Sequence, residues 1–251
     1  MAGTDSTQDP KLGGPSVILI EPQLGENIGA AARAMLNCGL TDLRLVSPRD
    51  GWPNPKAEAM ASGALDSAVQ VSIHDSTAAA IADLAYVLAT TARHRFMSKP
   101  IFTARQAAAE LRSRTATGQR CGLLFGAERS GMTNDDAALA NAIVTVPLNP
   151  AFSSLNLGQS VLLIGYEWYL CDDRTPASSF EDKGSPPATK AELMNFFRRL
   201  EGALDEVGFL RLQDKRPIVV RNLRNLFQRA DLTEQELKTL HGVIAALRRE
   251  V

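Results

Sequence analysis

The sequence predicts an α/β fold, a parallel sheet covered by helices on both faces and followed by a small all-helical extension. Three observations carry this prediction. Short apolar, β-branched runs alternate with helical stretches over the first part of the chain. A segment rich in Ser, Pro, Asp and Gly, residues 173–189, then interrupts the pattern. Beyond it, apolar residues recur only at helical spacing.

Taken in order, residues 1–14 have no basic start and no apolar core, so they read as a disordered tail and not as a signal peptide. Residues 16–21 (SVILIE) end at Pro22 and suit a buried strand. Residues 27–38 form an alanine-rich helix with Gly39 as its stop. Residues 43–46 form a second strand, closed by Ser47 and Pro48. Further strands are expected at 69–73, 85–90, 122–125 and 143–146, with a helix at 104–114 among the intervening segments. A long apolar helix follows at 156–170, whose face can bury Val161, Leu162, Ile164, Gly165 and Trp168. In the extension, helices are expected at 190–207, 218–229 and 233–249, the last opened by a capping box of Thr233 and Glu236. The domains are therefore an α/β domain at 15–172, a linker at 173–189 and a helical extension at 190–251.

The chain of 251 residues has an ordinary apolar fraction, and no apolar run reaches the roughly 18 residues of a membrane span. Cys38, Cys121 and Cys171 form no CxxC, which points to a reducing compartment, the cytoplasm, and to neither disulfides nor zinc. Each reads as a small buried or half-buried residue. No His, Cys or carboxylate pair has metal-ligand spacing, so no metal is expected. Residues 1–189 carry a net charge of −4 and residues 190–251 one of +3, a modest asymmetry.

In parallel α/β sheets ligands bind at the carboxyl ends of strands. Three loops there stand out. The first is EPQLGENIGAAAR, residues 21–33, with Asn27 near a helix start and Arg33 about two turns in, a geometry suited to anions. Alone, it also reads as an Asn cap and a solvated Arg. The second is LLFGAERSGMTN, residues 123–134, where glycines flank Glu128, Arg129 and Ser130 and allow close approach of backbone. It is neither a P-loop nor a nucleophile elbow, and alone it is equally a glycine-rich turn. The third is VPLNPAFSSLNLG, residues 146–158, where Ser153, Ser154 and Asn156 offer donors and acceptors. A proline turn with a helix cap explains one of these polar residues but not the set. His74 and His241 read as structural or solvated, whereas His94 lies in TTARHR, residues 90–95, at the end of a strand. The absence of GxGxxG after the first strand argues against a Rossmann dinucleotide site.

In this order and strand context the three loops resemble the signature motifs of the SpoU (TrmH-like) branch of the knotted SPOUT RNA methyltransferases. The matching patterns are N-x-G-x-x-x-R from Asn27 to Arg33, L-x-F-G-x-E-x-x-G ending at Gly131, and P-L-N-P-x-x-S-S-L-N from Pro147 to Asn156. The tail, in particular RNLRNLFQRA at 221–230, resembles the helical extension of the TrmJ group. The resemblance implies a trefoil-knotted fold, a homodimer with active sites shared between subunits, and S-adenosylmethionine as cofactor. It also implies methylation of the ribose 2′-hydroxyl of a pyrimidine at position 32 of the tRNA anticodon loop.

Residue roles follow from the same resemblance. Asn27, Arg33, Glu128, Ser154 and Asn156 would shape the catalytic end, with Arg33 supplied by the partner subunit. Thr90, Thr91, Ala92 and Gly126 would contact the cofactor, as would Val146, Pro147, Leu148, Ser153, Ser154 and Leu155. Arg33, Arg93 and Arg129 would contact RNA, joined by Arg216, Arg221 and Arg224 of the extension. Arg211, Lys215 and Arg229 lie in the same basic stretch, which also reads as a solvated helix face. Competing readings are the same chemistry on ribosomal RNA, a non-catalytic RNA-binding dimer and, more distantly, a hydrolase built on Ser153 or Ser154.

Overall fold

The computed structural model describes residues 10–91, 97–177 and 184–248. The expectations placed on Ala92, Arg93 and His94, and on most of the N-terminal tail, lie outside the described residues. The chain divides into two compact units, Met1–Thr175 and Pro176–Val251.

The first unit alternates strands and helices. Its first half runs β1 Ser16–Ile20, α1 Gly25–Asn37, β2 Asp42–Val46, α2 Pro55–Ala61, α3 Ala64–Ser67, β3 Gln70–His74 and α4 Thr77–Ala80. Its second half runs β4 Tyr86–Thr90, β5 Ile101–Thr103, α5 Ala104–Ala116, β6 Cys121–Phe125, α6 Asn134–Ala138, β7 Ala142–Thr145 and α7 Leu157–Leu170. All seven strands pair in parallel, in the order β3-β2-β1-β6-β4-β7-β5. The five residues of β1 are all buried, as a strand covered on both faces requires. Alternation splits them between two cores: Val17 and Leu19 pack with residues of α1, α5 and α7, and Ile18 and Ile20 pack with Ala80 and Ala137 on the other face. The three-residue β5 was not expected, because so short an edge strand carries too little periodicity to read.

Helix α1 starts two residues earlier than expected. Leu24 occupies its N-cap position without a side-chain cap, so Asn27 lies in the first turn and is not the cap. Its neighbours come unusually close. A Cβ on Gly29 would lie 2.2 Å from the Ala57 carbonyl oxygen of α2, and one on Gly158 would lie 2.8 Å from Ala30 Cβ. Helix α7 buries Val161, Ile164, Gly165 and Trp168, but Leu162, expected inside, is 42% exposed. Cys38 and Cys121 are buried, and burial pushes the Cys38 thiol up to about 11. Cys171 departs from the expectation and is exposed.

Composition did not single out Arg44, which is buried in β2. Its guanidinium donates to Asp42, to Asp83 and to the Ala80 carbonyl. This cluster sits at the amino ends of the strands, opposite the ligand end, and serves the fold. Among the described residues no helix is long and apolar enough to cross a membrane.

The second unit contains α8 Lys190–Glu206, α9 Arg216–Gln228 and α10 Glu234–Leu247. Capping boxes open two of them, Thr189 with Glu192 and Thr233 with Glu236. Leu193, Phe196, Phe197, Leu237 and Ile244 form its core, and His241 packs edge-on against Phe196. Helix α9 has no fully buried residue and leans on that core through Phe227, 4.9 Å from Phe196.

Candidate active site

Three adjacent strands, β6, β4 and β7, end beneath a cavity of about 340 Å³. Its walls come from the ends of these strands and the segments that follow: Thr90 and Thr91 at β4, residues 125–129 with Gly131 and Met132 at β6, and Val146, Leu148, Ser153, Ser154 and Leu155 after β7. The volume lies within the roughly 300–1,000 Å³ typical of small-molecule sites. The parallel topology places it there, since every strand delivers its loop to the same edge.

Backbone forms much of the wall. The chain doubles back after β6, where the Gly131 N–H donates to the Ala127 carbonyl at 2.8 Å. Gly131 makes this return at φ +70°. A Cβ on Gly126 would lie 2.2 Å from Met132 N and 2.4 Å from Gly131 C, so the return leaves no room for a side chain. The Thr90 hydroxyl donates to the Leu124 carbonyl at 2.8 Å and ties β4 to β6 beneath the cavity.

A continuous polar chain joins the three loops. The Glu128 carboxylate accepts from the Gln23 N–H at 2.8 Å, from the Leu24 N–H at 3.3 Å and from Asn27 Nδ2 at 2.7 Å. The Asn27 side-chain oxygen accepts from Asn156 Nδ2 at 2.8 Å. Asn156 Oδ1 accepts from the Gly158 N–H at 2.8 Å, and Gln159 completes the capping box of α7. Asn27 is 9% exposed, so its amide is committed to these two partners. The arrangement makes Asn27, Glu128 and Asn156 tie points that fix the relative positions of the loops after β1, β6 and β7.

The clamp carries an expected result. Glu128→Ala leaves two backbone N–H groups and the Asn27 amide without their acceptor, and should lower unfolding stability by about 2–3 kcal/mol. Glu128→Gln retains one accepting oxygen and should fall between. Denaturant unfolding of the full chain measures both, and an unchanged midpoint in the Ala variant would mean that the clamp holds nothing.

The other expected residues divide. Ser153, Ser154 and Arg129 line the cavity, and all three are exposed. Pro147 does not line it. Arg33 does not reach it either. Six residues further along α1, it faces about 120° away from Asn27, is exposed, and donates from Nη1 to Ser62 Oγ at 3.0 Å. In the second unit Arg216 pairs with Asp205 at 2.7 Å and Arg224 with Glu201 at 2.7 Å. Arg224 also lies 5.7 Å from the Phe197 ring centre. Of the same basic stretch, Arg221 and Arg229 are exposed, whereas Arg216 and Arg224 are engaged in these ion pairs. Acidic partners on α8, a helix away in sequence, could not be anticipated from the spacing of the arginines. No group of three metal-ligating side chains occurs among the described residues.

Comparison with known proteins yields a consistent set of similarities. Residues 14–166 match the model of the SpoU rRNA methylase family, and residues 191–251 match that of the C-terminal domain of the tRNA methyltransferase TrmJ. The chain is 34% identical over 237 residues to the tRNA (cytidine/uridine-2′-O-)-methyltransferase TrmJ of Yersinia pestis (strain Pestoides F), covering 93% of this chain and 91% of that protein. It is 46% identical to the crystal structure of TrmJ from Z. mobilis ZM4, with a TM-score of 0.81 over 94% of this chain and 99% of that one. The SpoU methyltransferase AviRb from Streptomyces viridochromogenes, solved in complex with AdoMet, shares the fold at 18% identity, with a TM-score of 0.52 over 68% of this chain and 63% of that one.

Proposed function

The chain belongs to the SpoU RNA methylase family and carries the C-terminal domain of its TrmJ branch, and on that premise we propose that it methylates the ribose 2′-hydroxyl of a pyrimidine at position 32 of the tRNA anticodon loop. The protein is an S-adenosylmethionine-dependent tRNA 2′-O-methyltransferase with a SPOUT-type fold. The observation that carries the reading is the cavity over β4, β6 and β7, walled by the second and third motifs and joined to the first through Glu128, Asn27 and Asn156.

The cavity fits S-adenosylmethionine. Gly126 excludes any side chain where backbone must form the wall. Val146, Leu148 and Leu155 supply apolar surface for a base, and hydroxyl and backbone groups suit the ribose and amino-acid ends. When bound, the sulfonium supplies an activated methyl group. The protein's own residues hold the 2′-oxygen in line and dispose of its proton.

Arg33 acts from a second copy of the chain. A guanidinium donates only, so Arg33 grips the neighbouring phosphate and stabilises the developing alkoxide. The proton passes to a phosphate oxygen or to water. A homodimer is supported by the outward face of α7, where Leu162, Leu163, Tyr166 and Leu170 lie exposed side by side. The passage of the chain after β7, a strand placed between the earlier β4 and β5, is read as the trefoil knot. The absence of paired cysteines among the described residues and a tRNA substrate support a cytoplasmic enzyme.

Incubation with labelled S-adenosylmethionine and unmodified tRNA transcripts, followed by nuclease digestion and mass spectrometry, tests the reading. Label on the ribose at position 32 is expected. Label on ribosomal RNA alone would keep the chemistry and change the substrate. Cofactor binding without transfer to either RNA would leave an RNA-binding protein.

A further inference from the structure

Phe152 is 78% exposed, more than any other large apolar side chain among the described residues. It sits in the loop after β7, directly before Ser153 and Ser154, which line the cavity. The loop holds it in place. The Phe152 N–H donates to the Asn149 carbonyl at 2.9 Å, and the Ala151 N–H donates to Asn149 Oδ1 at 3.1 Å. Four residues on, Asn156 is anchored to Asn27 and caps α7. A bulky apolar ring is thus presented to water beside the cavity, between a local turn at Asn149 and the anchored Asn156. Burying such a ring is favourable, and the fold leaves it uncovered at the mouth of the cavity.

We propose that Phe152 is a stacking platform for an unpaired base of the RNA substrate, a role that rests on the methyltransferase reading. The reacting 2′-hydroxyl has to reach the cavity mouth. In a single-stranded loop this draws the nucleotide away from its neighbours and exposes the faces of its base. An aromatic side chain beside the mouth replaces the lost stacking. Stacking reads the face of a base and not its hydrogen-bonding edge, so a platform of this kind serves cytidine and uridine alike. The loop that lines the cofactor cavity would then also hold the substrate, and the separation between Phe152 and Ser154 would help set which ribose is presented.

The test uses Phe152→Ala, Phe152→Leu and Phe152→Tyr in the full chain, with tRNA transcript as substrate. In the Ala variant KM for tRNA should rise about 10-fold or more, while kcat changes less and calorimetric affinity for S-adenosylmethionine and sedimentation behaviour stay as in the parent. Tyr should restore KM and Leu should not. Phe152→Trp adds a readout independent of turnover: its fluorescence, taken as the difference from the parent, should be quenched by tRNA and not by fully paired RNA. A Leu variant equal to the parent would overturn the proposal in favour of plain apolar packing. Lost cofactor affinity would place Phe152 in the cofactor wall, and dissociation into monomers would make it a subunit contact. If the parent methylates no RNA yet the Trp signal responds to tRNA, the catalytic reading fails and the platform stands.

Discussion

Gly126→Ala should reduce affinity for S-adenosylmethionine by about 100-fold or more and abolish methyl transfer, with both units still folded. The added methyl group would meet backbone at Met132 and Gly131, at 2.2 and 2.4 Å, and backbone cannot swing aside as a flexible side chain can. The turn that returns through Gly131 therefore has to open. That turn is the cavity wall, so the distortion falls on the ligand site, while the cores beneath keep their packing. Calorimetric titration with the cofactor measures the loss, and circular dichroism with a thermal scan checks the fold. Binding at the parent's affinity would show that the wall tolerates a side chain and that the cofactor does not lie against residues 126–132.

Removal of the guanidinium is expected to act on a different step. Arg33→Ala should lower kcat by about 100- to 1,000-fold, the range seen when a group that stabilises developing charge is lost, and should leave cofactor affinity unchanged because Arg33 does not line the cavity. Arg33→Lys should recover little, since an ammonium cannot grip a phosphate through two parallel bonds. A Lys variant that kept most activity with a shifted pH profile would remove the bidentate part of the mechanism.

The two variants together test where Arg33 acts. If it serves the partner's cavity, mixed dimers of Arg33→Ala and Gly126→Ala chains contain one intact site, and random exchange restores about a quarter of the parent's activity. If it serves its own cavity, each chain carries one lesion at its own site and the mixture stays inactive. Placement of Arg33 about 120° round α1 from Asn27 favours recovery.

The loops that wall the cavity were legible in the sequence. Strand positions followed from short apolar runs bounded by turn residues, because a strand buried on both faces is nearly continuously apolar. The capping box at Thr233 was visible because its hydrogen bonds join residues three apart. The three motif loops were found because each follows a strand and carries more polar or glycine residues than a turn needs. The mutual bonding of Asn27, Glu128 and Asn156 was not visible, because their side chains meet across 101 and 129 residues of sequence. The ion pairs of Arg224 with Glu201 and of Arg216 with Asp205 were hidden for the same reason, since the acids lie on another helix.

Local chemistry therefore determined the elements, the caps and the loops that face the ligand, because propensity, periodicity and capping act between residues a few positions apart. The tertiary structure alone decided which polar groups are committed to partners and which remain available. Sheet order brings loops after β1, β6 and β7 within hydrogen-bonding distance, and the energy of a polar side chain depends on those neighbours more than on its own identity.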